Sequence, residues 1–595
     1  MLLFNTMKQN IIAQFLKTSE LRGQKTCAMV KREGRWINVT WDEVARRVLT
    51  KAAALRQMGL KKGDRVALLV HTSLEWTIAD CAIMAAGGIS VPIYCSLTVD
   101  RIAHVLRDSA PIIAIVEDQR VARLFEEARQ FDGIREMLLI GVTAGAAPYN
   151  FNELGENADP EEVSSIRREI ELLAPEDAAT YVYTSGTTGE LKGVVITHRM
   201  IAAEIDAARQ VFDFTPDEVG LVCLPLAHVL GRLMQFYQLV QGSVSAYAES
   251  FEKLAENYME VRPHFVCGVP RMLEKIHEKA DEHVAGLSPR ARRLAEWALE
   301  VGRECSQLDQ KRRRIPFHLA IKRILADFLF FRKLRGRLGG RLHTFICGGA
   351  KLPLETARFL HSAGMLVLEG YGLTETFAAV TVNRRDDYHF GTVGKPLPGV
   401  ALKLAADGEI LVKGPTVFRE YLHRPDESIA SFDSEGWFRT GDLGEYSRDG
   451  FLRIAGRKKD IIVTAGGKNI APQMIESTML ASSFISNFMV YGDGQKYLTA
   501  LVTLKRGEVL RFLRCKGLSV SEVDRLSEHP EVRTLIAAHI EDRNRSLARY
   551  ETIKRFAILE TDFSVATGEL TPTLKIRREF TSAKYREVLE SLYHD

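Results

Sequence analysis

The chain has 595 residues, 46% apolar and 26% charged, with 44 Gly, 19 Pro and a formal net charge of +4. That composition excludes a mostly disordered, collagen-like or disulfide-scaffold protein, and the length allows about three to six domains, or one large α/β domain with an appendage. No run reaches the roughly 18 apolar residues of a membrane-spanning helix and the start, MLLFNTMKQN, has too short an apolar run for a signal peptide, so a cytoplasmic chain is expected.

In chain order, short β-rich runs alternate with longer amphipathic stretches: RVALLV (65–70), IIAIV (112–116), MLLI (137–140), TYVYT (180–184), HFVC (264–267), LHTFIC (342–347) and MLVL (365–368). The alternation predicts largely parallel sheets with helices on both faces, whose sites lie at the carboxyl ends of strands. Between Pro289 and Arg341 stand 15 Lys and Arg against 5 Asp and Glu, which leaves −6 on the rest of the chain. Within this block, residues 317–335 predict a helix with Leu319, Ile321, Ile324, Leu325, Phe328 and Phe331 as an apolar stripe, flanked by Lys322, Arg323, Arg332 and Lys333. Such a helix fits either a packed surface or an anionic membrane face. After about residue 400, Asp-Gly pairs and short strands (DGEILVKG, RDGFLRIAG) predict hairpins and a smaller second domain. The eight cysteines are scattered without C-x-x-C spacing and are expected to be reduced core residues. No nucleic-acid module is present, and no nucleic-acid partner is expected.

The segment TYVYTSGTTGELKGVVITH (180–198) places a strand before a loop with three glycines and four hydroxyls, then Lys192 and a second strand. Gly186, Gly189 and Gly193 permit close backbone approach, and Thr184, Ser185, Thr187 and Thr188 can donate to anionic oxygens. The spacing is not that of a Walker A loop, and composition alone equally allows a polar hairpin.

The string YTSGTTGELKGV (183–194) resembles the signature of the adenylate-forming superfamily, which includes the acyl-CoA synthetases. LPLAHVLGR (224–232), VPRMLEKI (269–276), CGGAKLP (347–353), GYGLTET (370–376), the long run 436–472 and GELTPTLKIRR (568–578) match it in the same order, and the likeness spans essentially the whole chain. VPRMLEKI and LTPTLKIRR look like the long-chain fatty acyl-CoA synthetase branch. The resemblance implies an α/β fold: a large N-terminal domain of layered α/β subdomains with a small β-barrel-like part (1–457), a hinge (458–459), and a small mobile α+β lid (460–595).

It further implies ATP, Mg2+ and CoA, with a fatty acid activated as acyl-AMP and then passed to the CoA thiol. Nucleotide binding falls to Thr184, Ser185, Gly186, Thr187, Thr188, Gly189, Lys192, Gly348, Gly349, Ala350, Glu369, Gly370, Tyr371, Gly372 and Thr374, with Tyr371 stacking on adenine. Thr374 and Glu375 stand at the α-phosphate and the magnesium, a role suited to hard oxygen donors. Asp442 and Arg457 match the ribose contacts, Lys459 the hinge residue, and Gly466, Gly467 and Lys468 the CoA-facing loop. His228 stands beside the substrate carboxylate, and Gly231 precedes Arg232 where long-chain members commonly carry an acid. Lys575 matches the lysine of the last motif; a fatty carboxylate is already ionised at neutral pH, so attack on the α-phosphate needs a bridging cation and no general base. Two other readings stay open here: an enzyme that stops at the acyl-AMP, passes the acyl group to a carrier-protein thiol or takes a medium-chain or aryl acid, and a non-catalytic lipid-binding scaffold.

Overall fold

The structure, a computed structural model, describes residues 10–128, 134–140, 150–185, 191–466, 468–480, 482–518, 525–571 and 575–594. The chain divides into two compact units. Unit 1 comprises Met1–Lys403, Leu411–Thr440 and Gly450–Leu452; unit 2 comprises Leu404–Ile410, Gly441–Asp449 and Arg453–Asp595.

Unit 1 holds two layered sheets. The six-stranded one runs Glu136–Leu139, Ile113–Val116, Arg65–Leu69, Ile89–Pro92, Ala178–Ser185, Leu191–Thr197; it is parallel except for the last pair, an antiparallel hairpin. The strands Ile89–Pro92 and Ile113–Val116 are buried along their whole length, as expected when helices cover both faces of a parallel sheet. Capping side chains fix where the helices start: Ser73 accepts from the Trp76 amide and Thr197 from the Met200 amide.

The nine-stranded sheet is parallel at its centre, through Val244–Tyr247, Val219–Val222, Phe265–Gly268, Thr344–Cys347 and Leu366–Leu373, and antiparallel at both edges. Against it packs a core that includes Leu273, Phe345, Leu360 and Val367. Leu319 and Phe331, placed by the sequence pattern in one stripe with Ile321 and Phe328, belong to this core at 1% and 2% exposure, whereas Ile324 is 69% and Phe328 64% exposed. The predicted stripe is therefore two faces. The helix Phe317–Ala326 passes through a π-helical turn at Asp327–Phe331, and the wider turn changes which side chains face inward.

Unit 2 carries its own core around a three-stranded sheet of Ile485–Tyr491, Leu498–Leu504 and Ile553–Ile558, covered by the helices Pro472–Met479, Arg506–Cys515 and Pro530–Asn544. Its antiparallel and parallel pairings and flanking helices make it α+β. Six of the eight cysteines are buried as expected; Cys95 is half-buried and Cys515 exposed, so these two are not core residues. No described helix is long and apolar enough to cross a membrane.

Candidate active site

In unit 1, the predicted phosphate loop begins from a hairpin: Thr184 pairs with Lys192 and Ser185 with Leu191, so the strand pairing holds both ends of the loop. Gly186, Thr187, Thr188 and Gly189 lie outside the described residues. The Lys192 ammonium is almost buried, bonds to Glu427 and stands 5.5 Å from the centroid of the Tyr421 ring. Tyr421 donates its hydroxyl to Glu375 at 2.8 Å. Burial, then the Glu375 carboxylate, push the Tyr421 hydroxyl well up, so it stays a donor. Lys192, Tyr421, Glu375 and Glu427 thus form one chain of polar contacts. The backbone of Tyr421 is tied to the same hairpin by its bridge to Val194 and by the bond from the Leu422 amide to the Gly193 carbonyl.

Glu375 is held by a sharp change of direction. Leu366–Leu373 ends in the turn Thr374–Thr376, and the chain then passes through left-handed backbone at Phe377 (φ 46°) and Ala378 (φ 93°) before returning as Ala378–Val382. The return strand comes so close that a Cβ at Gly372 would lie 1.4 Å from the Ala378 carbonyl oxygen. Only glycine fits there. Gly348 is buried between Leu230 and the Gly370 carbonyl, which brings the CGGA and GYGLTET segments together, while Gly349 and Ala350 are exposed. Tyr371, Thr374 and Glu375 are half-buried. Glu369, one residue before Gly370, is buried and its Oε1 has no hydrogen-bond partner among the described residues; burial pushes its carboxyl up to about 7 against backbone donors from Gly391 and Leu352.

His228 caps the helix Val229–Gln241, its Nδ1 accepting from the Leu230 amide at 3.1 Å. A ring that accepts at Nδ1 carries its proton on Nε2 when neutral, a donor suited to a carboxylate. Four residues on, Arg232 is fully buried and bonds Asp80 through Nε at 3.0 Å and Nη2 at 2.5 Å, and Thr180 at 2.6 Å. The acid that neutralises Arg232 therefore comes from the helix Leu74–Ala85. Gly231 has no room for a side chain: a Cβ would meet the Pro225 carbonyl at 2.7 Å.

In unit 2, Asp442 is 3% exposed and accepts from Arg457 Nε at 2.8 Å. Lys575 has both as electrostatic neighbours. Its residue surface is exposed, yet the ammonium end is desolvated, and burial together with the Arg457 cation lowers its pKa to about 8 against the pull of Asp442. Its backbone is pinned to Thr571, whose amide donates to the Lys575 carbonyl and whose hydroxyl accepts from the Lys575 amide. The buried Glu569 anchors the segment by binding Lys584 at 2.5 Å and Tyr585 at 3.1 Å. Lys459 is exposed on the turn Lys458–Asp460. The loop bearing Gly466 and Lys468 is held by other bonds, Thr464 to Lys468 and Ala465 to Gln495; Lys468 stands 5.8 Å from the Tyr550 ring centroid. Gly467 lies outside the described residues. Sequence reasoning missed Tyr421, Glu427 and Asp80; only the placing of Arg232 inside the apolar run 224–240 could have pointed to a buried acid such as Asp80.

A model of the AMP-binding enzyme family matches residues 17–422, and one of the AMP-binding enzyme C-terminal domain matches residues 459–595. Among curated proteins, the long-chain-fatty-acid–CoA ligase FadD15 of Mycobacterium tuberculosis is 35% identical over 94% of this chain and 93% of its own. The human long-chain-fatty-acid–CoA ligase ACSBG1 is 30% identical over 95% of this chain and 82% of its own. Among solved structures, the adenylation domain of a carboxylate reductase from Mycobacterium chelonae superposes with a TM-score of 0.74 at 20% identity, covering 98% of this chain and 91% of that one. The anthranilate CoA ligase AuaEII, in complex with anthranoyl-AMP, gives a TM-score of 0.71 at 20% identity, covering 98% and 99%. With the fold, the ordered motifs and these matches in hand, the chain belongs to the AMP-binding, adenylate-forming enzyme family.

Proposed function

We propose that this protein is an ATP-dependent, AMP-forming long-chain fatty acid:CoA ligase. A carboxylate oxygen attacks the α-phosphorus of ATP and the bond to pyrophosphate breaks; the CoA thiolate then attacks the acyl carbon and AMP leaves. The observation that carries this reading is the 35% identity to a long-chain-fatty-acid–CoA ligase sustained over 94% of the chain.

Lys575, Glu375, Thr374 and His228 have the chemistry the first step needs. The Lys575 ammonium bridges carboxylate and phosphate as negative charge shifts, and His228 donates from Nε2 to the carboxylate. Asp442 accepts from the ribose hydroxyls with Arg457 beside it, and Tyr371 stacks on adenine. The oxygen donors of Glu375 and Thr374 fit Mg2+, which takes one or two carboxylates plus substrate phosphates and would supply charge neutralisation on them. The functional domains run 1–457 and 460–595 about a hinge at 458–459 with Lys459, and Gly466, Gly467 and Lys468 face CoA.

The test is AMP release from ATP and magnesium, with and without CoA, across carboxylates from acetate to oleate. CoA-dependent release that peaks on long-chain acids supports the ligase. Release only on short or aromatic acids keeps the family and discards the long-chain branch, and no AMP release on any acid moves the assignment to an enzyme using another thiol, which still releases pyrophosphate, or to a lipid-binding scaffold, which does not.

A second observation favours contact with an anionic membrane. Phe317, Ile321, Ile324 and Leu325 on the helix Phe317–Ala326 and Phe328 on the π turn after it are exposed, Phe317 at 81%, with Lys322 and Arg323 among them. Exposed apolar side chains interleaved with cations suit the headgroup boundary of a bilayer that also holds the substrate. Reversing Lys322 and Arg323 to Glu should reduce co-sedimentation with phosphatidylserine vesicles several-fold; unchanged sedimentation would remove the proposal.

A further inference from the structure

Away from the adenylation motifs, three metal-ligating side chains meet at one end of the six-stranded sheet. His71 follows the strand Arg65–Leu69, Cys95 follows Ile89–Pro92 and Glu117 follows Ile113–Val116, so each stands just past the carboxyl end of one of three adjacent parallel strands. One ligand atom of each, an imidazole nitrogen, the Cys95 sulfur and a Glu117 oxygen, lies within 4.8 Å of the other two, the one such cluster of three among the described residues. His71 also touches Glu117 twice, through its ring and through its amide at 3.3 Å.

The topology explains why this place is suited to a ligand. From Arg65–Leu69 the chain crosses through the helix Leu74–Ala85 to the strand on one side. From Ile113–Val116, on the other side, it continues through Gln119–Ala128 to Glu136–Leu139, farther out in the opposite direction. Right-handed crossovers in opposite directions lie on opposite faces, and the strand ends between the two loops are where ligands bind in sheets of this kind. His71 and Glu117 come one from each of these two loops. With His71 57% and Glu117 32% exposed at the side chain, an ion has a path in.

We propose that His71, Cys95 and Glu117 bind a zinc ion, with water as the fourth ligand. One thiolate, one imidazole and one carboxylate form a borderline-soft donor set that fits Zn2+ and is poorly suited to Mg2+ or Ca2+, which take oxygen. Binding releases the thiol proton and ties together the three loops that carry His71, Cys95 and Glu117. One of these loops reaches the LPLAHVLGR segment: Thr72, next to His71, donates to the Leu224 carbonyl at 2.8 Å and accepts from the Leu226 amide at 3.2 Å. The ion would thereby brace the loop that leads into His228.

The experiment titrates metal-free protein with Co2+, followed by displacement with Zn2+. One cobalt per chain with a thiolate-to-cobalt charge-transfer band is expected, present in Cys515→Ser and absent in Cys95→Ser. His71→Ala and Glu117→Gln should weaken zinc by roughly tenfold or more. Thermal melts of each metal-free variant separate lost binding from lost folding. A cobalt spectrum without the charge-transfer band, or one that survives in Cys95→Ser, or one that Cys515→Ser abolishes, overturns the site.

Discussion

The ammonium of Lys575 titrates at about 8 instead of 10.5 because burial disfavours its charged form and Arg457 repels it, with Asp442 opposing both. Only the protonated amine can bridge two anions, so the active form is present below that pH and lost above it. The kcat/KM for acyl-AMP formation, which reports the free enzyme, should therefore fall as pH rises through about 8. Lys575→Arg should be slower but should lose that fall, because a guanidinium does not titrate there. A wild-type profile flat across this range would refute the assignment. Glu369 shows the opposite sign of shift. Its carboxyl is raised from 4.5 to about 7 by burial, so the folded protein keeps a proton that the unfolded chain has already released. Stability should decline between those two pH values and level off above the higher one, by on the order of 3 kcal/mol. Glu369→Gln, which cannot ionise, should melt closer to wild type at the acid end and progressively above it toward neutral pH; a pH-independent difference between the two would contradict the burial argument.

At the scale of elements, the Arg232–Asp80 pair joins the helices Val229–Gln241 and Leu74–Ala85, and the bond from Arg232 to Thr180 adds the strand Ala178–Ser185. Both charges are about 1% exposed, so removing one leaves the other buried and uncompensated. Asp80→Ala should cost about 3–5 kcal/mol in urea unfolding, and Asp80→Leu combined with Arg232→Met should recover much of the loss. Equal costs for the single and the double variant would show that volume, not charge, holds the helices. This pair also marks where reading from sequence stopped. The strand runs were legible because a parallel sheet covered on both faces demands continuous apolar residues, and the hairpin after Tyr183 because its glycines and hydroxyls are contiguous. The partner of Arg232 lies 152 residues away, and no local pattern announces it. Tyr421 and Glu427 were hidden for the same reason, since their contacts with Glu375 and Lys192 exist only once the loop folds back on the hairpin. The helix at 317–335 misled differently: the spacing was helical, but the π turn at Asp327–Phe331 rotated Phe331 into the core and left Phe328 outside.

For the whole molecule, the proposed reaction sets two demands that one arrangement of groups does not meet. Acyl-AMP formation joins two anions and needs a cation; thioester formation needs an uncrowded path for a thiol to an already activated carbonyl. On the proposed reading the segment after the hinge carries a feature for each: Lys575, and the exposed loop of Gly466, whose bonds run from Thr464 to Lys468 and from Ala465 to Gln495. If exchange of these features about Lys459 separates the two steps, their variants should fail separately. Lys575→Ala should reduce acyl-AMP formation by about 10²–10³-fold while leaving CoA thioester formation from supplied acyl-AMP within a few-fold of wild type. Gly466→Leu should do the reverse if this loop faces CoA: among the described residues a Cβ at Gly466 meets no heavy atom closer than 3.9 Å, so a side chain there costs little folding and would obstruct the thiol instead. Pyrophosphate exchange measures the first step and acyl-CoA appearance from acyl-AMP the second. Parallel loss of both steps in both variants would mean that Lys575 and the Gly466 loop serve one arrangement, and the exchange about Lys459 would have to be abandoned even though the adenylation chemistry stood.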